Sequence, residues 1–172
     1  MLEATALPNL HPALVHFPIA LATTALLFDV VLLARRLPQA CDGAAAALWL
    51  LAAAGAGAAY LSGERAHEAL GDMAPAVHAA VESHEEAALP TAVALGVLAL
   101  LRLAVAWRER TAPAPSRTPL RWIALALGLA AQGLVLRTAD RGGALVYRHG
   151  IGVEAVAAPQ PAAAAGHGRH QH

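Results

Sequence analysis

Four apolar runs, each close to the length that crosses a bilayer and each nearly free of charge, leave this chain few folds to choose from. The first, Leu14 to Ala34, contains a single acid, Asp29, and at about 1.5 Å per residue it matches the ~30 Å hydrocarbon layer. The second, about 44–61, is built of alanine and glycine (Ala52-Ala53-Ala54-Gly55-Ala56-Gly57-Ala58-Ala59), small residues that let membrane helices approach closely. The third reads as a helix over 76–107, opened by Pro75 and carrying Arg102 near its far end. The fourth, 120–136, is the shortest and contains Gln132. In lipid a segment must satisfy its own backbone polar groups, so these runs predict an all-α integral membrane protein, a bundle of four transmembrane helices.

Composition narrows the function classes. Of the 172 residues 58% are apolar and 14% charged, and twelve basic residues, all arginine, balance twelve acids. No net field therefore draws the chain to nucleic acid. Cys41 is the sole cysteine, which excludes an internal disulfide and a cysteine-only metal site within one chain. No basic leader precedes the first run, so it is kept as a helix rather than as a cleaved signal. Enzyme chemistry is poorly supported: no nucleophile sits beside a base, and neither a glycine-rich phosphate loop nor a metalloprotease helix motif is present. Transport is weaker still, since four spans are few and a single charged pair lies at depth.

After the fourth run, Asp140-Arg141-Gly142-Gly143 reads as a turn, and Ala144 to Val153 as a short extended or hairpin segment lying on the membrane face. The membrane domain then covers 1–156, followed by a disordered Ala/Pro/His tail over 157–172. Arg35, Arg36, Arg108, Arg110, Arg117 and Arg121 flank the two odd-numbered loops, with Trp107 and Trp122 at the same interface. That bias predicts a bacterial inner-membrane protein with those loops in the cytoplasm and both termini on the periplasmic side.

This topology gathers chemistry at one end. His11, His16, His67, His78, His84 and His149 all fall at or beyond the outer face, and Gln132 reaches the outer half. A histidine at the mouth of a membrane helix is unfavourable unless wetted, hydrogen-bonded or ligated, so a histidine cluster is a candidate site. Pro18 removes one backbone bond and should bend the first helix near His16. Asp29 and Arg102 lie at matching depths, each about 22 Å from the outer end. They can form an ion pair that locks the first helix to the third, or alternatively mark a proton path.

His11-Pro12-x-x-Val15-His16-Phe17-Pro18-Ile19-Ala20 at the start and Gly142-Gly143-x-Leu145-Val146-Tyr147-x-His149-Gly150-x-Gly152-Val153 at the end resemble the bacterial membrane family called domain of unknown function twenty-two thirty-one. The resemblance covers roughly residues 8–156. It implies an integral four-helix membrane domain and supplies no activity.

The histidines are compatible with three functions. Bundles hold haem between imidazoles on facing helices, and His16 with His84 is the best pair for haem b, with His149, His11 and Gln132 in support. The lack of a C-x-x-C-H excludes covalent haem, and three Trp, two Tyr and two Phe offer little aromatic lining. Copper or zinc is the second possibility, held by His11, His16, His84 and His149 with Glu85 or Glu68 as an oxygen donor or supporting partner. In the third, there is no cofactor and the histidines pin the rim of a scaffold subunit. The expected partners are the lipid bilayer and other membrane redox subunits or a second copy, in an electron-transfer or accessory role.

Overall fold

The computed structural model describes residues 10–35, 37–38, 40–111 and 119–153. A single turn, α1 (His11–Leu14), leads into α2 (His16–Arg35), followed by α3 (Ala40–Glu68), α4 (Pro75–Thr111) and α5 (Pro119–His149). Four helices are long and apolar enough to cross a membrane, the first counted as His11–Arg35. Each long helix packs on its sequence neighbours and α2 closes on α5, the arrangement of an up-down-up-down bundle. One end carries His11 and His84; the other carries Arg35, Arg108, Arg110 and Arg121.

The break between α1 and α2 follows from Pro18. Its missing N–H would have bonded the Leu14 carbonyl, and the helix interrupts there, at Val15. The interruption thus lies just before His16.

The middle of the bundle is small-residue packing. Ala22, Ala25, Ala52, Ala56, Ala99, Ala124 and Ala131 form the core with Leu26, Leu95, Leu98, Val135 and one large ring, Trp49. Leu27, Leu51, Leu100 and Leu129 face outward, where the bilayer covers them. Trp49 fits because Gly128 faces it: a Cβ there would lie 3.2 Å from Trp49 Cζ2 and from Leu26 Cδ1. Gly128→Ala is expected to cost about 1–3 kcal/mol by overpacking, read as a lower thermal midpoint in detergent. Gly57→Ala, whose Cβ meets nothing within 4 Å, should be neutral or slightly stabilising. Equal responses at the two positions would contradict the role given to the ring contact.

The spans are longer than the apolar runs. The second begins at Ala40 and passes through Ser62-Gly63-Glu64 to Glu68; the third extends to Thr111. The fourth runs to His149, so the expected turn at Asp140 to Gly143 and the extended segment from Ala144 are helical instead, up to His149. Tertiary contacts overcome a glycine penalty of about 1 kcal/mol per residue. Thr138 bonds the Ala87 carbonyl at 3.0 Å and Arg141 bonds the Ser83 carbonyl at 2.5 Å, tying that stretch of α5 to α4. The helix ends where Gly150 takes φ 65° and its N–H bonds the Val146 carbonyl at 3.0 Å. The 157–172 tail lies outside the described residues.

Candidate functional site

At the histidine end, α1 delivers His11 against α3. Its Nδ1 lies 2.9 Å from the Ala59 carbonyl and 3.1 Å from Ser62 Oγ. From α4, His84 places its Nδ1 3.1 Å from the Thr138 carbonyl of α5. A carbonyl oxygen only accepts, so each Nδ1 is the donor, and in the neutral ring Nε2 is the basic nitrogen. The two rings meet edge to face, centroids 6.2 Å apart and planes at 78°.

Two glycines make room for them. A Cβ on Gly63 would stand 3.1 Å from His11 Cε1, and one on Gly142 would stand 3.0 Å from His84 Cε1, both inside ordinary van der Waals contact. Gly63 and Gly142 are thus the places where α3 and α5 each receive an imidazole.

The other candidates stand apart from this pair. His16 is exposed, and among the described residues it makes no hydrogen bond, ion pair or ring contact. Five residues separate it from His11, which puts the two about 140° apart around a helix. His149 terminates α5, about 16 Å along the axis from Thr138, because the chain continues as helix instead of folding back. Gln132 lies about 9 Å deeper than Thr138 and donates to Thr23 Oγ1 at 3.0 Å. Glu85 pairs with His67 at 2.6 Å. His67 in turn meets His78, ring centroids 6.3 Å apart, and His78 pairs with Glu82 at 3.3 Å. Glu68 is the last residue of α3. Among the described residues no group of three or more His, Cys, Asp or Glu side chains is placed to hold a metal ion.

The sequence profile of a family described as "Predicted membrane protein (DUF2231)" matches residues 7–155. The chain belongs to that family. The DUF2231 match takes in both terminal motifs, and the fold brings one residue of each to the same place: His11 from the first and Gly142 from the second, with His84 between them. Searches of curated proteins and of solved structures returned no match.

At the arginine end, Arg102 Nη2 lies 2.6 Å from Asp29 Oδ1 and 3.7 Å from Asp42 Oδ1. Trp49 Nε1 donates to Asp29 Oδ2 at 2.9 Å. Arg121 bonds Asp42 and lies 3.6 Å from Glu109. Asp29, Asp42, Arg102 and Glu109 are all at most 2% exposed. All four spans contribute to this network, whereas the sequence pointed to two of its members. Asp42 and Glu109 are the two acids at the same level on the arginine-rich side, a pattern visible in the sequence.

Proposed function

We propose that this protein holds haem b at the histidine end of its bundle, with His11 and His84 as axial ligands, and serves as an electron-transfer or accessory subunit in the membrane. The supporting observation is the pair of pre-oriented imidazoles. Each fixes its tautomer by donating Nδ1–H to a backbone carbonyl of another helix, the supporting bond that metal-ligating histidines make.

Donor count favours haem over a bare ion. Haem brings its own equatorial nitrogens and requires of the protein only axial ligands. Structural zinc takes four ligands and catalytic zinc three, more than this pair supplies. The arginine bias at the other end supports an inner-membrane orientation with the haem end and both termini toward the periplasm.

The test is an absorption spectrum of the protein purified from cells with ample haem supply. A Soret band with one haem per chain, absent from His84→Ala, is the expected result. A colourless protein with stoichiometric copper would replace haem by a metal ion between the same rings. A colourless, metal-free protein would reduce the pair to a tie between helices.

A further inference from the structure

A groove between α3 and α4 at the arginine end lies outside both the histidine site and the buried charge network. Ala46, Ala47, Leu50, Leu103 and Ala106, together with Gly43, Trp107 and Arg110, line a cavity of about 130 Å³. Gly43 seats the arginine: a Cβ there would fall 2.7 Å from Arg110 Nη2. The guanidinium therefore rests on the glycine at the edge of an apolar slot. Among the described residues Arg110 has no ion-pair or hydrogen-bond partner.

Charge and depth select the occupant. The described acids of this end, Asp29, Asp42 and Glu109, are all buried, whereas Arg35, Arg108 and Arg110 are exposed. The surface at this end is thus cationic. Trp107, 71% exposed, sits where aromatic side chains mark the headgroup level. An apolar slot beside a guanidinium that has no partner among the described residues, at that level, matches a lipid: acyl chain in the slot, phosphate on the arginine. Basic pockets between membrane helices bind anionic headgroups in this way.

We infer that this groove is a binding site for one anionic phospholipid, whose phosphate sits on Arg110 and whose acyl chain lies along Ala46, Ala47, Leu50 and Leu103. Native mass spectrometry of the delipidated full chain tests it, with phosphatidylglycerol or phosphatidylcholine added at equal concentration. Wild type should bind one phosphatidylglycerol about fivefold more tightly than phosphatidylcholine, the effect of one near-surface arginine. Arg110→Gln should remove the preference, Gly43→Leu should weaken both lipids by filling the slot, and Arg148→Gln, at the opposite end, should change neither. Equal binding of the two lipids by wild type, or a preference that survives Arg110→Gln, overturns the proposal. So does a wild-type dimer that Gly43→Leu splits, since the groove would then be covered by a second copy.

Discussion

Arg102→Leu is expected to destabilise the bundle by about 3–5 kcal/mol, as breaking a buried ion pair from one side does. One guanidinium nitrogen lies between the carboxylates of Asp29 and Asp42, and all three groups are shut away from solvent. Leucine in its place leaves Asp29 with the Trp49 N–H as its remaining partner, facing Asp42, which keeps Arg121, and no cation between the two carboxylates. Removing Asp29 as well should recover most of the loss, because Asp42 retains Arg121 and the remaining defect is the orphaned Trp49 N–H, worth about 1–3 kcal/mol. Thermal unfolding in detergent, with monodispersity as a check on folding, compares Arg102→Leu with Asp29→Leu/Arg102→Leu. A double variant as unstable as the single would show that Asp29 and Arg102 do not act as a unit.

This network is a lock between all four helices, more extensive than the two-helix pair that matching depth suggests. Depth alone locates Asp29 and Arg102, because both interrupt apolar runs. Asp42, Glu109 and Arg121 stand at run ends, where charges are ordinary, and only the packing of α3, α4 and α5 shows that they turn inward. The spans themselves were legible because hydrophobic length is a one-dimensional signal. Their ends were not, because Ser62-Gly63 and Gly142-Gly143 carry the local signature of helix termination while their true role is steric.

The same blindness governs the histidine site. A glycine that receives a ring from another helix is indistinguishable in sequence from one that ends a helix. Thr138, whose carbonyl accepts from His84, carries no distinguishing signal at all. The five-residue spacing of His11 and His16 did hold usable information: residues about 140° apart cannot both face the core. His11 is the one that faces inward, onto α3, and His16 is exposed.

The largest functional effect follows from that choice. His11 carries the Nδ1 bond to Ala59, the contact with Gly63 and the approach to His84, whereas His16 lies on the surface. Removing an axial ligand should abolish stoichiometric haem retention, and removing an exposed rim histidine should leave it intact. The decisive measurement is the haem-to-protein ratio, from the Soret absorbance and pyridine haemochrome, of His11→Ala and His16→Ala purified side by side with wild type. The account predicts one haem per chain in wild type and His16→Ala and little or none in His11→Ala. Retention in His11→Ala with loss in His16→Ala, or full retention in both, would contradict it.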